Sequence, residues 1–306
     1  MNSSICVKGM RHQFGEKLVL NNISFQVERG EIFGLLGPSG AGKTTLINIL
    51  TGQLKASGGE SYILGKASSG LIGEDYRKIG IMMDNMGLYE RMSCYDNLRF
   101  YQMLEGSGGK RGRKISDSVN SEDAEKVLSI NSKKLEDVLQ GVGLLEAKKT
   151  LVINLSKGMT NRLAFARAIM KSPKILFLDE PTSGLDPATL ESIHEMILKE
   201  RERGTTIFLT THNMHEAEKL CDKIALLNEG KIVEYGAPEE ICRRYNHQKK
   251  IKLHLKSGED VELSHEAASG RILQDYFEKN EVETIHSTEP NLETIFIELT
   301  GRKLEA

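Results

Sequence analysis

The chain has 306 residues and a formal net charge of −2, with 27% charged and 39% hydrophobic residues. This length accommodates a full-sized domain and a smaller second unit, and the balanced charge argues against a nucleic-acid partner. The widely spaced cysteines lack metal-ligand spacing, which indicates reduced thiols. No signal peptide and no run of roughly 18 to 20 apolar residues is evident, so we expect any membrane role to come through a partner chain.

Short β-rich runs separated by turns make up the first part of the sequence. They predict strands over Ile5–Val7, Ile23–Val27, Ile32–Leu36, Ser61–Leu64 and Ile79–Met83. Glycines cluster between the third and fourth of these strands, and a helical pattern begins at Lys43. Ser93 followed by Asp96 is typical of the start of a helix, which we expect to run to Leu104.

Residues 106–131 differ in composition from the segments on either side. Gly, Ser, Lys and Arg dominate as far as Asn120, which predicts a flexible surface insertion. A solvated loop is the ordinary interpretation of such a basic run. Contact with anionic lipid or nucleic acid is the alternative.

The second half of the chain alternates strand and helix patterns. It contains an apolar strand over Lys174–Asp179, a helix opening at Pro187, a strand over Thr206–Thr210, a helix capped by Asn213, and a hairpin of Ile224–Leu227 with Lys231–Glu234. This alternation predicts an α/β core with a largely parallel sheet. We predict a first domain over residues 1–245 and a small C-terminal domain over 246–306, with a hairpin, a helix, an extended run and a last helix.

The segment Gly37-Pro-Ser-Gly-Ala-Gly-Lys43-Thr44 matches a phosphate-binding loop between a strand and a helix. Its backbone N–H groups and the helix N-terminus favour phosphate, the lysine reaches the β- and γ-phosphates, and the first threonine hydroxyl ligates Mg²⁺. ATP and Mg²⁺ are therefore the expected ligands. The candidate nucleotide-binding residues here are Gly37, Pro38, Ser39, Gly40, Ala41, Gly42, Lys43, Thr44 and Thr45.

Two adjacent carboxylates end the apolar strand over Lys174–Asp179. Asp179 is placed to hold Mg²⁺ through its water shell, together with Thr44. Glu180 would point to the opposite face and polarise the attacking water. Capping of a following helix is the alternative role for this pair.

With these motifs the chain resembles the ATP-binding subunits of ABC transporters over about residues 4–240. The run Asn154-Leu-Ser-Lys-Gly-Met159 is similar to the family's signature motif, Ser183-Gly-Leu-Asp186 to its D-loop, and Thr211-His212 to its H-loop. Phe14 stands where the family stacks an aromatic ring on adenine, with a role in the core as the alternative. The resemblance implies a P-loop ABC ATPase fold: a mixed, largely parallel sheet core, an antiparallel β subdomain, a helical subdomain and a small C-terminal α+β domain.

The resemblance also implies a mechanism. Two copies pair head-to-tail as a homodimer under a separate multi-helix membrane permease, on the cytoplasmic face of the membrane. ATP lies between the phosphate loop of one copy and trans-acting residues of the other, and His212 links the γ-phosphate to Glu180. The trans-acting residues are Ser156, Lys157, Gly158, Met159 and Asp186.

The sequence departs from the family pattern at several positions. Asp84 replaces the usual Gln, and either ligates Mg²⁺ or caps its loop. Lys157 and Met159 replace Gly and Gln of the signature. The tail, Glu289–Phe296 and then Leu299-Thr-Gly301, resembles subunits of bacterial drug, lantibiotic and polysaccharide exporters, so we predict an exporter ATPase. The alternatives are an importer ATPase, a regulatory module that hydrolyses poorly because of Asp84, and a soluble ABC ATPase of translation or DNA repair.

Overall fold

The computed structural model describes residues 3–83, 87–106, 133–247, 250–264, 266–287 and 290–301. Asp84 and the predicted insertion from residue 107 onwards lie outside these ranges. The strands are β1 (Ser3–Phe14), β2 (Lys17–Glu28), β3 (Ile32–Leu36), β4 (Gly58–Ile63), β5 (Lys66–Ala67), β6 (Ile79–Met82), β7 (Ile175–Asp179), β8 (Thr206–Thr211), β9 (Lys223–Asn228), β10 (Lys231–Gly236), β11 (Lys250–Leu255), β12 (Asp260–Ser264) and β13 (Val282–Ser287).

The helices follow the expected capping chemistry. Ser93 and Asp96 exchange side-chain and backbone hydrogen bonds at the start of the third helix, as the sequence predicts. Asn213 accepts from the Glu216 amide at the start of the seventh. The helices are α1 (Lys43–Leu50), α2 (Gly73–Tyr76), α3 (Cys94–Gly106), α4 (133–141), α5 (Lys157–Ile169), α6 (Pro187–Glu202), α7 (Met214–Leu220), α8 (Pro238–Arg244), α9 (Ala267–Glu278) and α10 (Leu292–Thr300).

The central sheet has the order β10-β9-β3-β8-β7-β6, and all neighbours except the β10–β9 hairpin run parallel. Strand β8 lies between β3 and β7, so the carboxyl ends of these three strands form one continuous edge. Phosphate-loop, acidic and histidine motifs each follow one of these strands. The crevice outside the carboxyl ends of parallel strands is where such sheets bind ligands.

Two hydrophobic layers cover this sheet. Along β3, for example, Phe33 and Leu35 point to the side of α1 and an antiparallel sheet of order β2-β1-β4-β5, whereas Ile32 and Leu36 point to the helices. Phe33 and Phe208 fill the first layer with ring centroids 5.5 Å apart. Because both faces of the central sheet are buried, the sequences of its strands are nearly uninterrupted apolar runs. The predicted α/β fold, with its largely parallel core and antiparallel subdomain, is confirmed.

The C-terminal segment divides between two packing environments. Strands β12-β11-β13 form a sheet with a small apolar cluster of its own, which α9 covers. Helix α10 instead buries Leu292, Ile295 and Phe296 in the main core, against α7 and α8. Glu218 of α7 accepts a hydrogen bond from the Leu292 amide at 2.8 Å. The last helix of the predicted second domain therefore packs as part of the first.

Across the part of the chain that the structure describes, none of the helices combines the length and apolar character that a bilayer crossing needs. Cys6, Cys94, Cys221 and Cys242 form no disulfide with one another in the part of the chain that the structure describes. Burial raises the pKa of the Cys221 thiol well above its usual value, so this side chain is a neutral core residue.

Candidate nucleotide-binding site

The phosphate loop leaves β3 and folds back on itself before α1 begins at Lys43. Gly37 passes so close to β9 that a Cβ there would lie 2.3 Å from the carbonyl oxygen of Leu227. Gly42 has φ = +110°, a conformation that side chains disfavour, and a Cβ there would meet Leu20 at 2.8 Å. Glycine at these two positions lets the loop curve tightly enough to present its amides to a phosphate.

The Lys43 ammonium lies at the centre of this loop. It donates to the carbonyl oxygen of Gly37 at 2.6 Å and to that of Pro38 at 3.3 Å. It also pairs with Glu180 Oε1 at 3.1 Å, and both side chains are mostly shielded from solvent. The loop thus holds a buried cation whose partners are its own carbonyls and one carboxylate.

The first acidic residue, Asp179, is buried at the end of β7. It accepts hydrogen bonds from the Thr44 hydroxyl at 2.9 Å and from the Thr210 hydroxyl. Within the described ranges, no group of three or more His, Cys, Asp or Glu side chains could hold a metal unaided. A carboxylate beside a threonine hydroxyl nevertheless fits Mg²⁺, which binds proteins through one or two oxygen ligands together with substrate phosphates and water.

The second acidic residue, Glu180, has an unusual backbone. Its φ is +50°, in the left-handed region that non-glycine residues rarely adopt, and its amide donates to the Thr210 carbonyl at 3.0 Å. The turn brings the Glu180 carboxylate into the same cavity as Asp179, although adjacent residues of a regular strand would face apart. His212 Nδ1 lies 2.8 Å from Glu180 Oε2, so this carboxylate is shared between His212 and Lys43. Strained backbone of this kind is concentrated at functional sites.

These groups enclose one cavity of about 490 Å³. The structure brings the phosphate loop, both carboxylates, His212 and Phe14 together around this cavity. Phe14 is 53% exposed and meets the His12 ring edge-on at 4.6 Å, so it is not a core residue. The lining residues are Phe14, Lys17, Val19, Ser39, Gly40, Gly42, Lys43, Thr44, Thr45, Asp179, Glu180, Ser183 and His212.

Sequence reasoning missed several residues of this site. Lys17 and Val19 line the cavity from the start of β2, directly after the hairpin turn that follows Phe14. The Thr210 hydroxyl donates to Asp179 and orients its carboxylate. The sequence feature that could have identified Thr210 is a hydroxyl residue two positions before His212. Ser183 was recognised only as part of a motif, yet it too borders the cavity.

The trans-acting candidates lie outside the cavity of their own chain. Ser156 caps α5 by accepting from the Met159 amide at 3.2 Å, and a side chain at Gly158 would collide with Thr189 of α6. Lys157 extends towards the D-loop, where a Cβ on Gly184 would lie 2.2 Å from its Nζ.

Asp186, the last of these candidates, caps α6. It accepts from the Thr189 amide at 3.0 Å and from the Thr189 hydroxyl at 2.6 Å. These hydrogen bonds, the hydroxyl's above all, lower the pKa of Asp186, so its carboxylate stays ionised at neutral pH. The candidates for a role in trans therefore lie outside the cavity, with Ser156, Lys157 and Asp186 exposed to solvent.

Comparison with known proteins agrees with this geometry. Residues 20–183 match the family model described as ABC transporter. A fluoroquinolones export ATP-binding protein of Mycobacterium tuberculosis is 36% identical over 98% of this chain and 94% of its own length. The linearmycin resistance ATP-binding protein LnrL of Bacillus subtilis is 28% identical over 97% of this chain and 98% of its own.

Among solved structures, a dimeric ATP-binding cassette in a post-hydrolysis state with ADP and Pi is similar, with a TM-score of 0.63 and 25% identity. The match covers 76% of this chain and 98% of that one. The fold, the order of the motifs and the relatives that align over nearly the whole chain all indicate the same family. The chain belongs to the ABC transporter family, as an ATP-binding and ATP-hydrolysing subunit.

Proposed function

We propose that this chain powers export through a separate membrane permease, working as a head-to-tail homodimer on the cytoplasmic face of the membrane. The observation that carries the proposal is the division of the site. One cavity gathers Phe14, the phosphate loop, Asp179, Glu180 and His212, while the signature segment lies outside it. A second copy would complete the site across the nucleotide.

The cavity residues account for binding and hydrolysis. Phe14 offers an exposed ring face to adenine, and the loop amides with the start of α1 receive the phosphates. Phosphate oxygens would replace the Gly37 and Pro38 carbonyls and Glu180 as partners of Lys43. Glu180 is then free to accept a proton from the attacking water, with His212 orienting its carboxylate. Mg²⁺, held by Thr44 and Asp179, would neutralise phosphate charge.

The signature segment supplies the second half of the site in this proposal. Ser156 opens α5 as its N-cap, and the first turn of α5 contains no acidic residue that would repel phosphate. Lys157 adds a positive charge at this helix start. A partner's triphosphate would therefore meet the amino-terminal end of the α5 dipole and a cation there, so that ATP joins the two copies.

The permease would dock on an exposed apolar surface formed by the segments around Tyr89 and Leu151. Tyr89 is 44% exposed and meets Phe100 edge-on at 4.8 Å. Leu151 and Ile153 are also exposed, and the Ile153 amide donates to the Glu90 carbonyl, which joins the two segments. Clustered exposed apolar side chains of this kind are typical of protein interfaces. We call Tyr89, Phe100, Leu151 and Ile153 the docking surface.

Export rather than import is supported by the relatives and by the tail. The full-length relatives carry names of fluoroquinolone export and linearmycin resistance, and the matches include the C-terminal segment. We infer that the cargo of this chain's transporter is a small molecule or peptide that leaves the cell. The permease would select it.

The test is a pull-down of tagged Glu180→Gln protein from detergent-solubilised native membranes with MgATP. We expect recovery of a multi-helix membrane protein that lacks an ATPase domain of its own. Its absence from the same preparation made with Lys43→Ala protein would show that recovery depends on nucleotide. Recovery of ribosomal, DNA-repair or periplasmic substrate-binding proteins instead would contradict the exporter proposal.

Charge on the docking surface should uncouple transport from hydrolysis. In Tyr89→Asp protein a carboxylate replaces an exposed aromatic side chain, and burying it against a permease is unfavourable. We expect cargo export in cells to fall at least about tenfold while ATPase activity of the isolated subunit changes less than about twofold. The control is Ile272→Asp in α9, a position of almost equal exposure at 45%. Unchanged export in Tyr89→Asp cells would exclude this docking site.

A further inference from the structure

A buried polar cluster lies behind the nucleotide cavity, formed by Thr182, His194 and Glu216. The Thr182 hydroxyl donates to Glu216 Oε1 at 2.7 Å, and His194 Nε2 donates to the same oxygen at 3.1 Å. All three residues are almost completely buried. The cavity lining includes none of them, so the steps described above do not use them.

The cluster joins the segments that carry three of the site's motifs. Thr182 lies two residues after Glu180, directly before the D-loop. His194 belongs to α6, which Asp186 caps, and Glu216 lies in the first turn of α7, four residues after His212. One carboxylate oxygen of Glu216, in α7, thus accepts hydrogen bonds from the residue before the D-loop and from α6. Helices α6 and α7 are the helices that follow the D-loop and the H-loop.

The chain adjoining Glu180 is fixed by polar contacts on two sides. On the side of β8, the Glu180 amide donates to the Thr210 carbonyl. On the other side, buried Asn161 of α5 donates to the Pro181 carbonyl at 2.9 Å, and Thr182 donates to Glu216. These contacts hold Glu180 in its left-handed conformation at φ = +50°. A residue in that region persists only where the surrounding structure enforces it.

Stability alone does not account for this cluster. Among the described residues, Glu216 Oε2 and His194 Nδ1 are buried atoms that lack a hydrogen-bond partner. A buried carboxylate with one such oxygen is costly, and apolar residues of similar volume often replace buried polar groups without loss of stability. The cluster is better explained by the geometry that it imposes on the chain next to Glu180.

We propose that Glu216 and Thr182 are positioning residues for ATP hydrolysis, which hold the Glu180 carboxylate at its place in the cavity. The inference rests on the proposed role of Glu180 as the base. Without the Thr182–Glu216 hydrogen bond, the Glu180 backbone relaxes from the left-handed region and its carboxylate moves. Nucleotide binding is unaffected, because the phosphate loop and Phe14 make no contact with the cluster.

The experiment compares Thr182→Val, which removes the hydroxyl at constant shape, with Thr182→Ser, which retains it. Steady-state MgATP hydrolysis is measured for both. In Thr182→Val protein we expect kcat to fall about 100-fold with KM changed less than about twofold, since displacing a catalytic group by about 1 Å costs this much. Thr182→Ser protein should recover most of the activity.

The matched control is Thr205→Val. Thr205 is also buried and donates its hydroxyl to the Pro173 carbonyl at 3.2 Å, but it precedes β8 at the end of the sheet away from the nucleotide. Thermal unfolding should show similar destabilisation of Thr205→Val and Thr182→Val proteins, with full kcat only in the former. Glu216→Leu should reproduce the Thr182→Val loss, and the double variant should lose no more than either alone.

Two results would overturn the inference. One is a Thr182→Val kcat within twofold of the wild-type kcat, and the other is an equal loss in the Val and Ser variants, which would assign the effect to packing. Absence of hydrolysis in the wild-type protein would instead count against the proposed function. The two failures are therefore distinguishable.

Discussion

The two halves of the nucleotide site differ in how completely one chain organises them. In the cavity, Lys43, Asp179 and Glu180 are satisfied by partners from the same chain, including Gly37, Thr44 and His212. On the signature surface, Ser156 and Asp186 cap their own helices, and neither residue lines the cavity.

This difference indicates which contacts position the side chains of each half of the site. Opposite charges and hydrogen bonds within one chain position the charged side chains of the cavity, so nucleotide binding would exchange one set of partners for another at small cost. The signature surface presents the start of α5, whose first turn contains no acidic residue. We infer that the first half determines affinity for ATP and that the second determines association of two copies.

The sharpest way to test this division is Glu180→Gln, for which we expect the largest effect. Loss of a general base lowers the rate by about 10²- to 10⁴-fold. ATP affinity should not fall, because the variant also removes the carboxylate that competes with phosphate for Lys43. Single-turnover hydrolysis and equilibrium ATP titration measure the two quantities separately.

Size-exclusion chromatography of the same variant with ATP should show a dimer that persists because hydrolysis no longer ends it. The control is Glu195→Gln, an exposed glutamate of α6 distant from the cavity. A Glu180→Gln protein that retained more than about a tenth of wild-type turnover would remove Glu180 from the catalytic role.

Phe14→Ala tests the binding half alone. Stacking of a base on an aromatic ring contributes roughly 1–3 kcal/mol, so ATP should bind ~5- to 160-fold more weakly. Inorganic triphosphate, which lacks the base, should bind both proteins equally. Isothermal titration measures both ligands.

Phe277→Ala is the matched control, because Phe277 in α9 is 54% exposed, almost the same as Phe14. Equal weakening of ATP and triphosphate binding by Phe14→Ala would show that the variant distorts the phosphate loop. Adenine stacking would then be excluded as the role of Phe14.

The strands also differ in how well their bounds could be predicted from the sequence. Strand β3 has the predicted bounds, Ile32–Leu36, because full burial leaves a short apolar run with a glycine-rich loop after it. Strands β1 and β2 are much longer than the apolar patterns indicate. Register shifts near Gly9 and Asn22, both at positive φ, interrupt the alternation that a pattern search follows.

Site residues divide in the same way. Most cavity residues that come from contiguous motifs were predicted, with Ser183 as the exception. Lys17, Val19 and Thr210 reach the cavity or the Asp179 carboxylate only through strand pairing. The docking of α10 was likewise invisible, because an amphipathic helix specifies a buried face but not its partner. These residues were missed because their positions depend on contacts between segments far apart in the chain, which local sequence patterns do not reveal.

Ser156→Ala tests the signature half and should have the smallest effect. Loss of an N-cap costs about 1 kcal/mol, which corresponds to roughly fivefold in an equilibrium that depends on the start of α5. We expect ATP-dependent dimerisation of Glu180→Gln protein to weaken by about this factor, while ATP affinity of the single chain stays unchanged. Asn291→Ala removes the equivalent cap of α10, which accepts from the Thr294 amide at 2.8 Å, and should leave dimerisation unaltered. If Ser156→Ala weakened ATP binding and dimerisation equally, the signature segment would act within its own chain, and the division between the two halves would be wrong.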